Sequence, residues 1–192
     1  MSLILASNSQ IRREMLGQAA VEFQVRSPAF DEEQVKQAGF DGEELARLLA
    51  EGKAASVAAG LDDWVIGSDS TVSVGGIRYS KPRDRQQAAA HLRTFSGQTM
   101  LLSSAAALAS QGVIDWSHAE TARLRVRRLN DGFIEDYLNL EWPEVGNCVG
   151  VFRMEGRGVT LFDRVEGSHF TILGMPLIPL LGALRQRGLM PS

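Results

Sequence analysis

Trp64-Val65-Ile66-Gly67-Ser68-Asp69-Ser70-Thr71-Val72-Ser73-Val74-Gly75-Gly76 is the stretch that decides how this chain is built. Trp64 to Gly67 reads as a buried strand that ends at Ser68-Asp69-Ser70. Strand character resumes from Thr71 to Val74, and Gly75-Gly76 is the signal of a tight antiparallel hairpin. An acid therefore interrupts an apolar strand. A carboxylate at a strand end can bind a divalent metal or deprotonate a water without full burial, or it can simply cap its own turn.

Outward from that stretch, strands and helices are mixed. Leu3 to Ala6 reads as a short buried strand, and Ser7-Asn8-Ser9 offers N-cap side chains to a helix carrying Ile11, Met15 and Leu16. Glu43 to Ala59 has Leu45, Leu48, Leu49 and Val57 at helical spacing, with Asp41, Glu43 and Glu44 where the helix dipole favours acid. Asp84 caps a helix through Ala88, Ala89, Leu92 and Phe95 that Ser96-Gly97 stops, and Leu101 to Ala109 reads as a central strand. Ala122 to Leu129 alternates apolar residues with Arg123, Arg125 and Arg127, the pattern of a half-buried strand. Asn130-Asp131 opens a further helix, Val159 to Val165 is strand-like, Ile172 to Pro176 turns, and Leu177 to Arg187 closes as an amphipathic helix. The class is α/β, or α+β, with a mixed sheet.

Composition excludes several functions. With 20 Lys and Arg against 23 Asp and Glu, mixed along the chain, the net charge of −3 offers no basic field for polymeric nucleic acid. The single cysteine, Cys148, cannot pair within the chain, and His91, His118 and His169 are scattered without a zinc spacing. The opening apolar run of about five residues is too short for a signal sequence or a membrane span, so a cytoplasmic protein without a membrane partner is expected. At 192 residues the chain suits one domain, 1–192, with a sizeable core. There is no GxGxxG and no Walker lysine motif.

The residues able to carry chemistry are few. Ser7 with Arg12 and Arg13 at a helix start can converge on an anion, or can cap and stay solvated. Lys53 on the long helix and Lys81 before Pro82 can each neutralise phosphate charge, or remain solvated. Glu32, in the acidic run Asp31-Glu32-Glu33, can join Asp69 as a Mg²⁺ ligand or form a solvated turn. The histidines carry no assigned role, and Cys148 between small and apolar neighbours reads as a buried hydrophobe.

Taken in order, Leu5-Ala6-Ser7-Asn8-Ser9 with Arg12-Arg13, then Asp31-Glu32, Lys53-Ala54, Ile66-Gly67-Ser68-Asp69, Lys81-Pro82, Ser96-Gly97, Val165-Glu166-Gly167 and Leu173-Gly174-Met175-Pro176-Leu177 resemble the Maf family of nucleotide pyrophosphatases along almost the whole chain. The resemblance implies an elongated mixed sheet in two lobes around a nucleotide cleft. It also implies metal-dependent hydrolysis of the α–β phosphate bond with Mg²⁺, Mn²⁺ or Co²⁺, and a homodimer for which the apolar C-terminal helix and exposed tryptophans are candidates. Asp69 matches the family's proton acceptor and a metal ligand with Glu32; Ser7, Arg12 or Arg13, Lys53 and Lys81 match its phosphate-binding positions.

The family divides into a pyrimidine branch and a branch acting on 7-methyl-GTP, and the stretch Cys148 to Phe162 resembles the second. At the base-discriminating positions this chain has Ile11 for the pyrimidine branch's arginine, Ser70 for its threonine and Glu155 for its glutamine. A carboxylate accepts from guanine N1–H and the exocyclic amine and favours the charge of a methylated base. The chain departs from the family in Gln10 for proline, Ile11 for the aromatic of the 7-methyl-GTP branch, and Ser80 for glycine. Alongside this reading stand a broad house-cleaning pyrophosphatase for modified nucleotides and a non-catalytic nucleotide-binding regulator of septum formation.

Overall fold

The computed structural model describes residues 2–40 and 42–191, so Asp41 lies outside the described residues. The chain forms two compact units, one of Met1–Ser70, Ser103–Thr121 and Ser168–Ser192, the other of Thr71–Leu102 and Ala122–Gly167. The strands are β1 (Leu3–Ala6), β2 (Gln24–Val25), β3 (Trp64–Val74), β4 (Ile77–Tyr79), β5 (Thr99–Ser110), β6 (Val113–Val126) and β7 (Phe162–Glu166). The helices are α1 (Gln10–Gln18), α2 (Glu32–Gln37), α3 (Gly42–Ala55), α4 (Arg85–Phe95), α5 (Asp131–Glu141), α6 (His169–Leu173) and α7 (Leu177–Gln186). The strands make a mixed seven-stranded sheet of order β2-β1-β3-β5-β6-β7, with β4 paired to β3.

In the first unit, strand alternation builds two cores at once. Leu3 and Leu5 of β1, which runs parallel to β2 and β3, pack with Met15 and Leu16 of α1 and with Leu177, Leu180 and Leu184 of α7. Ile4 and Ala6, on the opposite face, pack with Ala46, Ala50 and Ala54 of α3. That alanine stripe at i, i+4 and i+8 lets α3 approach the sheet closely. At Gly67 the approach is so tight that a Cβ would lie 2.0 Å from the Ala50 carbonyl oxygen and 2.6 Å from the Ala54 nitrogen.

In the second unit, β4 returns antiparallel to β3 through Gly75 and Gly76, both at positive φ, with Val74 opposite Ile77. α4 packs on α5, and each begins with a side-chain cap: Asp84 accepts from Gln87 N–H at 2.7 Å, Asn130 from Phe133 N–H at 2.8 Å. β7 pairs antiparallel with β6, placing Val165 opposite the buried Leu124.

Several expectations are corrected. β3 does not end at Ser68: it runs unbroken through Asp69 to Val74 because the serines that seemed to stop it find buried partners, described below. α3 stops at Ala55, so Val57 is buried beyond the helix. β6 begins at Val113, well before Ala122, and takes in His118, while His169, Ile172 and Leu173 are helical in α6. Residues Arg157–Leu161 form a 3₁₀ turn, so the last strand starts only at Phe162. Ser9 occupies the N-cap of α1 but makes no side-chain cap bond. Trp64 and Trp116 are partly buried against the α1/α7 core rather than exposed. Among the described residues no helix is long and apolar enough to cross a membrane.

Candidate functional site

The close α3–β3 approach sets the site. Lys53, next to the buried Ala54, reaches Asp69 on β3, and its Nζ donates to Asp69 Oδ2 at 2.8 Å. The same ammonium stands 2.8 Å from Glu32 Oε1, so one cation spans two carboxylates. Asp69 Oδ1 accepts from the Ser70 N–H at 2.8 Å and lies 3.9 Å from the Arg12 guanidinium. The side chains of Arg12, Lys53 and Asp69 are only 11, 12 and 15% exposed, so their mutual attraction is poorly screened by water.

Arg12 is held from several directions. Its Nε donates to the Gly174 carbonyl at 3.0 Å, one terminal nitrogen to Ser70 Oγ at 3.1 Å and the other to Ser7 Oγ at 3.4 Å. Gly174 O also accepts from Ser68 Oγ at 3.0 Å and Ser70 Oγ at 3.2 Å. Ser70 and Ser104 hydroxyls meet at 2.8 Å, and Ser104 donates to the Thr171 carbonyl at 2.7 Å. These bonds explain why β3 carries serines through a buried stretch: each hydroxyl has an internal partner. Burial pulls the Arg12 pKa below its ordinary value, and the charges of Asp69 and Glu32 oppose that shift.

Glu32 opens α2 behind Asp31, whose carboxylate accepts from Glu33 N–H at 3.0 Å. Burial alone would raise the Glu32 pKa, but hydrogen bonds and charge from Lys36 and Lys53 bring it down from 4.5 to about 2. Lys36 Nζ stands 2.6 Å from Glu32 Oε2. Glu32 Oε1 and Asp69 Oδ2 converge on the point held by Lys53, the donor chemistry a hard divalent cation takes. Among the described residues no group of three or more His, Cys, Asp or Glu side chains converges on a metal position. A cation here would take two carboxylates and complete its shell from phosphate and water, as Mg²⁺ commonly does.

The structure thus brings together Ser7, Arg12, Glu32, Lys53, Asp69 and Ser70. Arg13 does not join them: it is exposed, with its guanidinium 3.5 Å from the Asn8 carbonyl. Ile11 is half-buried on α1. Lys81 and Glu155 belong to the second unit, where both act electrostatically on the Cys148 thiol. Lys81 also lines a hollow of about 220 Å³ with Arg78, Tyr79, Arg83, Gln87 and His91. Burial, with Glu155 adding to it, pushes Cys148 up to about 11, so it is a protonated thiol and not an activated nucleophile. A larger apolar groove lined by Phe30, Val35, Phe40, Leu48 and Ile114 shares no residue with the charged cluster.

Sequence reasoning missed Lys36, Ser68, Ser104 and the Gly174 carbonyl. Lys36 follows Glu32 by four residues, a helical ion-pair spacing that reads as a signal once α2 is known to be a helix. The other three have no local signal.

Residues 2–187 match the model of a family described as Maf-like protein. The chain is 44% identical over 191 residues to the 7-methyl-GTP pyrophosphatase of Rhizobium meliloti, covering 97% of this chain and 96% of that one. It is 42% identical over 198 residues to the nucleoside triphosphate pyrophosphatase of Sphingopyxis alaskensis, covering 100% of both. Among solved structures, the Staphylococcus aureus Ham1 protein aligns with a TM-score of 0.52 and 16% identity over 98% of this chain and 100% of its own, a likeness of fold alone.

Proposed function

Because this chain belongs to the Maf family, we propose that it hydrolyses nucleoside triphosphates between the α- and β-phosphates, releasing nucleoside monophosphate and pyrophosphate, with preference for 7-methyl-GTP. The observation that carries the reading is the shielded Asp69, gripped by Lys53 at 2.8 Å and faced by Arg12 at 3.9 Å. A carboxylate at this point can take a proton from a water, and the two cations beside it are placed for phosphate.

In the proposed reaction a water oxygen bonds to the α-phosphorus as its proton passes to Asp69, and the bond to the bridging oxygen of the leaving pyrophosphate breaks. Lys53 and the fixed guanidinium of Arg12 offset the charge that develops on the phosphate oxygens, and Ser7 supplies a hydroxyl beside Arg12. Lys81 is proposed as a further phosphate cation, and exposed Arg13 as a steering charge. Asp69 and Glu32 are proposed to hold a divalent cation, Mg²⁺, Mn²⁺ or Co²⁺, whose chemistry is to neutralise charge on the phosphates.

The base preference rests on Glu155. Overall similarity does not decide it, because relatives with either name are about equally similar to this chain. A carboxylate at this position accepts from both guanine donors and attracts the positive charge of an N7-methylated ring, while uracil and thymine offer it no matching pair of donors.

The test is pyrophosphate release from 7-methyl-GTP, GTP, dTTP, UTP and CTP with each metal. We expect turnover to be highest on 7-methyl-GTP and lost in Asp69→Asn, with nucleotide binding retained. Full activity in Asp69→Asn removes Asp69 as base; equal rates on all bases leave the reaction and discard the preference.

A further inference from the structure

Glu141 is out of place by the logic of its helix. The buried stripe of α5 is Ile134, Tyr137, Leu138 and Glu141, three core residues and then a carboxylate with a residue exposure of only 5%. Such a charge needs a partner. It has Arg153, whose terminal nitrogen and Nε approach Glu141 Oε2 at 3.1 and 3.4 Å.

The segment bearing Arg153 is fixed through its backbone. Tyr137 Oη donates to the carbonyl of fully buried Val151 at 3.0 Å, and Gly156 N–H donates to Arg153 O at 3.1 Å, closing a turn over Met154 and Glu155. Gly158 presses on the same point: a Cβ there would lie 2.4 Å from the Arg153 carbonyl oxygen and 2.6 Å from its nitrogen. The Arg153 side chain is not fixed in this way, since it is 36% exposed. It is held most strongly by the Glu141 hydrogen bond, with Glu155 and Glu144 as weaker attractions. One guanidinium is therefore hydrogen-bonded to the buried Glu141 and also attracted by Glu155, the exposed residue to which base selection is assigned.

We propose that Glu141 is a positioning residue for base selection: by engaging Arg153 it leaves the Glu155 carboxylate available to the nucleobase. This rests on the reading of Glu155 given above. With Glu141 neutralised, Arg153 turns to its next attraction, Glu155, and pairs with the carboxylate that the base would otherwise meet. The preference is then lost although Glu155 is still present.

The experiment measures kcat/KM for 7-methyl-GTP and for UTP in the full-length wild type, Glu155→Gln, Glu141→Gln and the double variant Glu141→Gln/Arg153→Gln, with Tm for each. Glu141→Gln is expected to lower the 7-methyl-GTP to UTP ratio about tenfold, the size of one charge-assisted hydrogen bond, with kcat on UTP unchanged. The double variant, which removes the competing guanidinium, is expected to restore the ratio. A pair that only staples the fold predicts the opposite, because deleting both partners does not rescue. If Glu155→Gln lowers the ratio but Glu141→Gln does not, or the double variant fails to restore it, the Glu141 proposal is overturned and the Glu155 reading stands. If Glu155→Gln leaves the ratio unchanged, the Glu155 reading falls and this proposal with it. Should Glu141→Gln not fold, the charge-neutral double variant decides alone: a wild-type ratio supports the proposal, a lowered one overturns it.

Discussion

Replacing Gly67 by alanine adds one methyl group at the point where α3 touches β3, and its effect follows from three distances. The new Cβ would sit 2.0 Å from the Ala50 carbonyl oxygen, 2.6 Å from the Ala54 nitrogen and 2.9 Å from the Ala54 Cβ. Ordinary contact begins at 3.4 Å, so α3 must back away by about 1.4 Å, and the obstructing atoms are backbone that no rotamer change can move. Overpacking of this kind costs about 2–3 kcal/mol. For a chain of this length that lowers Tm by about 4–12 °C. Lys53 rides on α3 and Asp69 on β3, so the same retreat carries their 2.8 Å contact toward about 4 Å, beyond hydrogen bonding. A misplacement of roughly 1 Å in a charged site costs about a hundredfold in turnover. Circular dichroism melts and pyrophosphate release at saturating nucleotide read the two effects separately. Gly17→Ala serves as control: nothing lies within 4 Å of its Cβ, and an alanine inside α1 is expected to leave both readouts intact or slightly raise Tm. A Gly67→Ala variant with wild-type Tm and kcat would refute the claim that close packing of α3 builds the site.

Two further outcomes follow from ionisation. The Glu32 carboxyl titrates near 2 in the folded chain against an ordinary 4.5, so folding favours its ionised form; the stability this lends is full above about pH 4.5 and disappears as pH falls toward 2. Glu32→Gln should therefore flatten the acid limb of Tm against pH in that window, and an unchanged limb would show that the Lys36 and Lys53 contacts do not persist in solution. Cys148, pushed up to about 11 by burial, should resist iodoacetamide at pH 8 in the native protein and react readily in guanidinium chloride. Rapid native labelling would contradict that upward shift.

The parts of the molecule that could be read in advance are those whose cause lies within a few residues. The caps Asp84 and Asn130 bond to the N–H three positions on, and both helices begin where those residues stand. Gly75-Gly76 is a hairpin because both residues take positive φ, which is again local. The continuity of β3 is not local. Ser68 and Ser70 look like a strand end until Gly174 supplies a carbonyl more than 100 residues away and Ser104 a hydroxyl. The first half of β6 is likewise not local, because its polar Ser117 and Glu120 find their partners in Glu51 and Thr171, far along the chain. α2, six residues long, is too short for apolar periodicity to show. Adjacent residues on a helix face about 100° apart, so Arg12 and Arg13 could not both enter one cluster, and only the distant Gly174 carbonyl tells which does.

The contacts around Asp69 also bear on how the base proposed above could work from inside a strand. A carboxylate that is to accept a proton needs a lone pair within reach of water, and burial works against that. The sheet resolves this by dividing the task between two cations of different mobility. Arg12 is clamped through all three guanidinium nitrogens and stays 3.9 Å from Asp69, too far for a direct hydrogen bond to occupy its lone pairs. Lys53 makes the short contact, on a flexible stem shared with Glu32. In the proposed reaction an incoming triphosphate would draw that ammonium away and uncover Oδ2, while Arg12 stays in place. The same division makes the two cations unequal under substitution. Loss of the arginine removes bonds to Ser7, Ser70 and Gly174 and so reaches the packing of β3, whereas loss of the lysine removes a charge from the proposed reaction and leaves the strand intact.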